Sequence, residues 1–482
     1  MNSNQLYKRV SFLQYRMALL LTIFSFLLFY YFKPDFMTDW DAIGYIKNIS
    51  DHCRSGMGLG RVGFIYFYIP IWDACINLLK VPLLEAYHVV MFVNLCFSSL
   101  TIGIVYLLVG KVFRNKQVAF ASAVVLIFSR AYISIAAQPL TEPMMIFLVM
   151  LSFFLFVLST EKKNLLFFYL SAFIFGFAFE VKEAAMLSVL FFPAFIFTRK
   201  EADFLSLKEY LLFITIVLLT AFSMPLYFYL KDSVKYIHDI RYASSFDSFN
   251  FGDWQEIYYN LRAGFGILWL PLVGGLFLWL RKEFNKILII LSLVVPNVVF
   301  SLYGSRVARY FVLGYIPLAI LSAYCFFYGI GYLRKLFNFS RIDFIRLFLC
   351  GVLILAVYNL NVFYRPMMKE IRDAENFKEH GLMLLNKFSN NTTYITGEHS
   401  TLMQHYYIPL TRSKKRVIAC GWDWPKNNLG KVVERHLLKG RRVIIDLDGF
   451  RRIYFNEVRD VIKLMSMYKL KQLDANFIEL YK

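Results

Sequence analysis

The sequence predicts a polytopic α-helical membrane protein of about 11 transmembrane helices with a small α/β extramembrane domain at its C-terminal end. Two observations lead to this fold class. Of the 482 residues, 58% are hydrophobic and only 18% are charged, which is too apolar for a soluble globular protein and typical of a multi-pass membrane protein. After residue 364 the composition becomes mixed and polar, and short β-rich runs alternate with helical stretches.

The transmembrane helices are predicted from apolar runs, several of which are shorter than the roughly 20 residues that a bilayer requires. These helices must therefore extend into the flanking polar residues. The run 62–79 is set apart because it contains Asp73, Asn77 and Pro70, and we expect it to lie on or dip into the outer leaflet as an amphipathic segment. The predicted spans are 17–32, 87–110, 118–137, 143–158, 165–179, 184–197, 210–230, 264–280, 287–303, 310–333 and 347–364.

The distribution of lysine and arginine gives the orientation. Cytoplasmic loops of membrane proteins are enriched in these residues, and alternate loops of this chain carry them, as at 111–116 and 281–286. The N-terminus and these loops are therefore predicted to be cytoplasmic. The transmembrane domain would then comprise 1–364, with long outward loops at 33–86 and 231–263, and the C-terminal domain 365–482 would also lie outside.

The net charge of +20 follows from the same basic residues, which lie mainly in short loops and in the tail. In that arrangement they act as topology signals and as contacts to anionic lipid head groups. No RNA- or DNA-binding motif accompanies them, so membrane lipids and not nucleic acid are the expected partners. The six cysteines are scattered without a CxxC pair, which excludes a disulfide framework and a zinc site.

The C-terminal domain is predicted from its alternation of elements. Short β-rich runs occur at 393–396, 416–419, 442–446 and 477–481, and helical stretches at 429–438 and 456–467. Strands alternating with helices indicate a small α/β domain.

Charged residues collect at the predicted outward boundary of the membrane. Ionisable side chains close to lipid are costly, and a functional site is the usual explanation for them. The alternative is that each is a solvated residue at a helix end, since Asp favours helix starts and an acid in the first turn satisfies the helix dipole. The boundary residues are Asp39 and Asp41 after the first span, Glu142 before the fourth, Lys182 after the fifth, and Arg306 and Arg309 before the tenth.

A carboxylate and a cation at this depth suit one type of reaction. A hydroxyl attacks the anomeric carbon of a sugar held on a polyprenyl phosphate, the carboxylate takes the proton, and the cation stabilises the departing phosphate. Such a donor already carries its leaving group, so a nucleotide-binding loop is not needed. The sequence contains no GxGxxG or Walker A pattern.

Several short motifs resemble those of a known family. The run 39–45 is similar to an acidic motif of the form Asp-x-x-x-Tyr, which falls on Asp41 and Tyr45. The runs 140–143 and 309–317 look like an acidic helix entry and an Arg-Tyr…Pro helix start. In this order the motifs resemble the GT-C superfamily of integral membrane glycosyltransferases, in particular its protein mannosyltransferase and aminoarabinose transferase-like group.

The resemblance implies roles for the boundary residues. Asp41 would be the catalytic base, with Asp39 as the second choice because Trp40 separates two acids that are often adjacent in the superfamily. Some members use a divalent metal such as Mg²⁺ or Mn²⁺ and others do not, so the cofactor stays open. The substrate-binding residues would be Arg309 at the lipid phosphate, with Lys182 and Arg306 as alternates, Glu142 at the acceptor or a metal, and Tyr45 and Tyr310 beside them.

The expected function is therefore transfer of a hexosyl or pentosyl group from a polyprenyl-phosphate-sugar donor to a hydroxyl of a lipid, glycan or protein acceptor. We expect a bacterial inner membrane protein whose active site faces the periplasm. One alternative is a transporter or flippase of lipid-linked sugars, although such proteins often show paired halves that this chain lacks. Another is a non-catalytic scaffold, which would give no reason for the acids to gather on one face.

Overall fold

The protein is described by a computed structural model that covers residues 3–37, 39–53, 61–199, 205–244, 258, 261–262, 264–301, 311–337, 340–397, 402–419, 429–447 and 461–481. The chain divides into two compact units. The first, here called the membrane unit, comprises Met1–Lys33, His52–Ile71 and Val89–Lys369. The second, here called the tail unit, comprises Pro34–Asp51, Trp72–His88 and Glu370–Lys482, so it joins the C-terminal tail to two stretches of the first outward loop.

Helices make up most of the chain before the tail. Two of the connections are 3₁₀ helices, Leu83–Glu85 and Glu183–Ser188. The α-helices are α1 (Ser3–Tyr31), α2 (Trp40–Ser50), α3 (Val62–Asn77), α4 (Tyr87–Val112), α5 (Lys116–Ile127), α6 (Arg130–Ala136), α7 (Thr141–Lys162), α8 (Leu165–Val181), α9 (Phe191–Thr198), α10 (Leu207–Lys231), α11 (Ser233–Ser244), α12 (Trp269–Leu280), α13 (Phe284–Ser301), α14 (Val312–Phe337) and α15 (Arg341–Lys387).

The described helices confirm the predicted fold class. Six of them are long and apolar enough to cross a membrane, or seven if α5 and α6, bent by 66°, form one broken span. Each predicted apolar run overlaps one of these helices or a shorter apolar one. The run 62–79 is also helical, and it buries Phe64, Ile65 and Tyr68 completely within the protein. The chain is an integral membrane protein.

Small residues and aromatic rings pack the membrane unit. A Cβ at Gly176 of α8 would lie 2.7 Å from Thr220 Cβ of α10, so only glycine allows these two helices to approach so closely. The rings of Phe153 on α7 and Phe191 on α9 stack with centroids 4.0 Å apart. With no water to drive helices together inside a bilayer, such close packing supplies much of the association energy.

The tail unit contains the predicted α/β domain. A five-stranded sheet has the order β2-β1-β3-β5-β4. The strands β2, β1 and β3 are parallel to one another, and β5 runs antiparallel to both of its neighbours, β3 and β4. The helix α16 (Leu429–Leu438) precedes β3 and packs Val433 into the sheet's apolar core. The strands are β1 (Thr392–Thr396), β2 (Arg416–Ala419), β3 (Arg442–Asp446), β4 (Lys469–Gln472) and β5 (Phe477–Tyr481).

A buried polar cluster joins this sheet to α15. His380 Nε2 lies 3.0 Å from Asp446 Oδ1, and the Thr396 hydroxyl donates to Asp446 Oδ2 at 2.7 Å. Asp446 is fully buried at the end of β3, while Thr396 ends the neighbouring β1. Because a buried carboxylate is costly without partners, these contacts fix the sheet against the last turns of α15.

An aromatic cluster joins the first outward loop to the tail. Phe36 lies before α2, and its ring contacts those of Tyr87, Tyr406 and Tyr407, all within the tail unit. Hydrogen bonds orient two of these rings: the Tyr87 hydroxyl donates to the carbonyl of Asp35 at 2.8 Å, and the Tyr406 hydroxyl donates to the carbonyl of Leu84 at 2.6 Å. The segment that carries the predicted catalytic acids is therefore part of the same packed unit as the tail.

We predict that His380→Leu destabilises the tail unit, because it leaves the buried Asp446 carboxylate with one partner fewer, at a cost of about 3 kcal/mol or more. Hydrogen exchange of the β1 and β3 amides in the purified full-length protein measures the change. The control is Glu379→Gln on the exposed side of the same helix, which we expect to exchange like the wild type. Equal protection in His380→Leu would contradict this role of the cluster.

Candidate functional site

The acids of the first outward loop lie at the start of α2, in the tail unit. Asp39 is the N-cap residue, and its carboxylate accepts the backbone N–H of Asp41 at 2.9 Å. Asp41 lies in the first turn of the helix, where its negative charge is favoured by the helix dipole. Both side chains are half-buried, and Tyr45, one turn further along, is buried.

Glu142 and Lys182 form a buried ion pair in the membrane unit. Lys182 Nζ donates to Glu142 Oε1 at 2.7 Å, and the exposed fractions of the two side chains are 5% and 2%. The Thr141 hydroxyl donates to the other oxygen, Oε2, at 3.2 Å. The structure thus brings together two predicted site residues that are 40 positions apart in the sequence. Charges so deeply buried keep their ionised forms only when they are paired.

The start of α7, which carries Glu142, is held by an amide of α4. Asn94 Nδ2 donates to the carbonyl oxygens of Gln138 at 2.6 Å and Leu140 at 2.8 Å. The Tyr68 hydroxyl in turn donates to Asn94 Oδ1 at 2.7 Å. Asn94 and Tyr68 are both fully buried, so this chain of hydrogen bonds fixes the turn between α6 and α7 and, with it, the position of Glu142.

The charged residues at the turn after α8 each contact a different element of the membrane unit. Glu180 accepts the backbone N–H of Met224 at 2.9 Å, next to Pro225 inside α10. Lys182 pairs with Glu142 on α7, and Glu183 pairs with Arg61 at 3.5 Å, next to α3. The same turn therefore contacts three different parts of the membrane unit, which explains how Lys182 is held in place although it lies at a helix end.

Close packing of α3 supports this turn. A Cβ on Gly63 would lie 2.9 Å from Glu180 Cβ and 3.0 Å from its carbonyl carbon. Only glycine at this position lets α3 approach the backbone of the turn without displacing it.

The predicted site residues are distributed as follows. Glu142 and Lys182 are in contact in the membrane unit, and Asp39, Asp41 and Tyr45 lie together on α2 in the tail unit. The remaining predicted site residues, Arg306, Arg309 and Tyr310, lie outside the residues that the structure describes.

Sequence reasoning missed the residues that position the ion pair. Asn94 is the only amide side chain in the apolar run 87–110. A single amide within a membrane-spanning run indicates a buried polar contact, so Asn94 could have been identified from the sequence. Tyr68 and Arg61 gave no comparable signal, because tyrosine and arginine are both common at membrane interfaces.

A metal role for Glu142 stays a prediction. Both of its carboxylate oxygens accept hydrogen bonds, one from Lys182 and the other from Thr141. Within the described residues, no group of three His, Cys, Asp or Glu side chains is arranged to hold a metal ion.

The chain resembles known proteins both in sequence and in fold. The family model described as dolichyl-phosphate-mannose-protein mannosyltransferase matches residues 85–228, the segment that contains Asn94, Glu142 and Lys182. The crystal structure of ArnT from Cupriavidus metallidurans bound to undecaprenyl phosphate superimposes with a TM-score of 0.60 at 11% identity, covering 96% of this chain and 97% of that one. The chain has the GT-C fold.

Two structures of the Archaeoglobus fulgidus oligosaccharyltransferase share the GT-C fold with it. The apo form has a TM-score of 0.54 at 13% identity and covers 94% of this chain and 73% of that one. AglB in complex with an inhibitory peptide and a dolichol-phosphate has a TM-score of 0.54 at 12% identity, with coverage of 97% and 74%. No curated protein sequence matches the chain.

We predict that Lys182→Met destabilises the protein by about 3 to 5 kcal/mol, because the Glu142 carboxylate stays buried without its cation. The double variant Glu142→Gln/Lys182→Met should regain most of this loss, since it removes both charges. Thermal unfolding in detergent measures both changes. A double variant as unstable as the single one would show that the pair does not act as a unit.

We predict that Asn94→Leu displaces the start of α7, because the carbonyls of Gln138 and Leu140 lose a shared donor at a cost of about 1 to 3 kcal/mol each. The matched control is Ser99→Ala on the same helix, where the lost hydrogen bond runs only to Leu95 of α4 itself. Hydrogen exchange of residues 138–146 should increase in Asn94→Leu and stay unchanged in the control. Unchanged exchange in both variants would remove Asn94 from the positioning role.

Proposed function

We propose that the protein is a glycosyltransferase that moves a sugar from a polyprenyl-phosphate-linked donor to a hydroxyl acceptor. The observation that carries this proposal is the buried Glu142–Lys182 pair, which lies within the segment matched by the mannosyltransferase family model. The GT-C fold supports it over nearly the whole chain, since the matching ArnT structure holds undecaprenyl phosphate and the matching AglB structure holds dolichol-phosphate.

The proposed reaction is a single displacement. The acceptor hydroxyl oxygen forms a bond to the anomeric carbon of the sugar, while the bond from that carbon to the phosphate oxygen breaks. The hydroxyl proton passes to a carboxylate, and the polyprenyl phosphate leaves with the electron pair of the broken bond. Catalysis therefore requires a base near the acceptor and positive charge near the phosphate.

Asp41 is the proposed base. The carboxylate of Asp39 already accepts the backbone N–H of Asp41 as the N-cap of α2. Asp39 therefore has a structural task, whereas Asp41 is the acid that the family-like motif places in the catalytic position. The half-buried state of the Asp41 side chain leaves part of it accessible to a hydroxyl.

Lys182 is one proposed source of positive charge for the phosphate, with Arg306 and Arg309 as the others. In the protein, the ammonium group of Lys182 donates to Glu142, and this contact limits its conformations before a donor binds. A phosphate that shares this ammonium group would gain a charge-assisted hydrogen bond without the entropic cost of ordering a long side chain. We assign Glu142 the role of orienting Lys182, and Tyr45 and Tyr310 to the walls of the substrate site.

The location of the active site and the class of acceptor follow from the topology and from the proposed chemistry. The positive-inside pattern supports an active site at the outward membrane face, in the periplasm if the source is bacterial. The acceptor would be a lipid, glycan or protein hydroxyl, and the transferred group a hexose or pentose. If a divalent cation such as Mg²⁺ or Mn²⁺ takes part, it would add charge at the departing phosphate.

We predict that Asp41→Asn lowers sugar transfer at least about a hundredfold, because the amide cannot accept the hydroxyl proton. Asp39→Asn should stay near wild-type activity, since asparagine caps helices as well as aspartate does. The assay uses membranes with equal amounts of each protein and a labelled pool of polyprenyl-phosphate sugars. Asp51→Asn, at the exposed C-cap of the same helix, is the matched control and should be fully active.

Other outcomes would revise the assignment. Loss of activity in Asp39→Asn with retention in Asp41→Asn would move the base to Asp39. If the wild type transfers no sugar from any donor, yet moves lipid-linked sugars across the bilayer, the protein is a transporter and the proposed reaction is wrong.

A further inference from the structure

One edge of the tail unit carries a concentration of positive charge. The segments 412–416 and 435–442 together contain eight lysines and arginines and one histidine, and no aspartate or glutamate. They meet at the N-terminal edge of the parallel strands, where β1, β2 and β3 begin. We call Lys414, Arg416, Lys439 and Arg441 the basic edge.

Contacts around Arg441 and Thr393 bring β1, β2 and the start of β3 together at the basic edge. Arg441 Nη2 donates to the carbonyl of Lys414 at 2.7 Å, and Arg441 Nε donates to the Thr393 hydroxyl at 3.0 Å. Arg416 is the strand partner of Thr393 across the parallel pair of β1 and β2. His436 Nδ1 lies 3.2 Å from the same Thr393 hydroxyl, so residues from three elements converge on one threonine.

Three other cations of the tail unit have anionic or carbonyl partners. Arg442 makes a two-point contact with Glu479 at 2.8 and 3.0 Å, and Lys387 pairs with Asp474. The ammonium group of the buried Lys415 donates to the carbonyls of Leu384 and Leu385 near the end of α15. In the described part of the chain, by contrast, the four side chains of the basic edge have no carboxylate partner.

The cations of the basic edge lie close enough to repel one another. Burial lowers the pKa of Arg441, and the neighbouring Arg416 lowers it further. The pKa of His436 is likewise lowered, first by burial and then by Arg441, Arg416 and Lys439. Folding therefore assembles like charges at a cost, and an anion from outside the domain would relieve that repulsion.

The surroundings of the basic edge indicate what kind of anion it meets. Neither segment contains a phenylalanine, tyrosine or tryptophan, whereas single-stranded nucleic acid is usually bound on stacked aromatic rings. Leu438, next to Lys439, is 69% exposed, so the basic edge borders an apolar side chain at the end of α16. Cations around an exposed apolar residue are typical of surfaces that lie in the head-group region of a bilayer.

The sheet domain is covalently linked to a membrane-spanning helix, so the anionic head groups of the bilayer are always nearby. The helix α15 is continuous from a membrane-spanning stretch to Lys387, five residues before β1 begins. A covalent tether of this kind gives the domain a high effective concentration at the membrane surface.

We propose that the basic edge of the tail unit binds the phosphate head groups of an anionic phospholipid surface. Each lysine or arginine near such a surface adds a modest attraction, so four of them and Leu438 are sufficient for a reversible contact.

The test compares the full-length protein in nanodiscs of phosphatidylcholine alone with nanodiscs that contain roughly one third phosphatidylglycerol. Hydrogen exchange of peptides covering 412–419 and 429–442 is the measurement. We expect exchange there to slow at least about fivefold in the anionic nanodiscs and to recover at high salt. Exchange that is the same in both lipids would overturn the proposal.

Variants show whether the positive charge of the basic edge causes the slower exchange in anionic nanodiscs. The triple change Lys414→Gln/Arg416→Gln/Lys439→Gln should abolish the protection, and it leaves Arg441 intact because that residue also holds β1 in place. The control, Lys463→Gln/Lys469→Gln/Lys471→Gln, removes the same charge from exposed positions elsewhere in the tail unit and should keep the protection. Unchanged exchange at β5 verifies that both variants are folded.

Two further results would contradict the lipid surface as partner. Protection that persists in the triple variant would show that the basic edge is not the contact. Protection produced by soluble inorganic polyphosphate in phosphatidylcholine nanodiscs, without any effect of phosphatidylglycerol, would identify a site for a soluble polyanion instead.

Discussion

The buried ion pair between Glu142 and Lys182 is the constraint on which the rest of the membrane unit depends. Two charges that are almost completely removed from water are stable only while each neutralises the other. The pair therefore requires α7 and the turn after α8 to stay in register. The hydrogen bonds from Asn94 hold the first of these elements, and the contacts of Glu180 and Glu183 hold the second. A membrane protein that needed only stability could pack leucines here.

The tail unit bears on function because it contains the helix with the catalytic candidates. Phe36, a few residues before Asp39, lies among the rings of Tyr406 and Tyr407, which come from the far end of the sequence. The first outward loop and the tail thus share one core, and the cluster of His380, Asp446 and Thr396 fixes the sheet of that unit. A substitution in the tail could therefore displace α2 without contacting the reacting atoms directly.

The sequence was informative about elements and about individual polar residues, and less so about their partners. Hydrophobic runs predict most of the helices, and short β-rich runs predict four of the described strands. The strand β4, with the exposed sequence Lys-Leu-Lys-Gln, has no buried face and could not be recognised from periodicity. The boundary charges Glu142 and Lys182 were identifiable, but their pairing depends on how α7 and α8 pack, which no local pattern encodes. The contact of Phe36 with Tyr406 joins residues that are hundreds of positions apart, and interfacial aromatic residues are too common to predict it.

The proposed reaction breaks the bond between the sugar and the lipid phosphate, so the release of free polyprenyl phosphate distinguishes it from transport of an intact donor. Purified protein would be incubated with a labelled polyprenyl-phosphate sugar and an acceptor extract, and both the lipid and the sugar would be followed. If the protein is a glycosyltransferase, one polyprenyl phosphate is released for every sugar that appears on the acceptor. A donor that stays intact while it changes leaflet in proteoliposomes would contradict it.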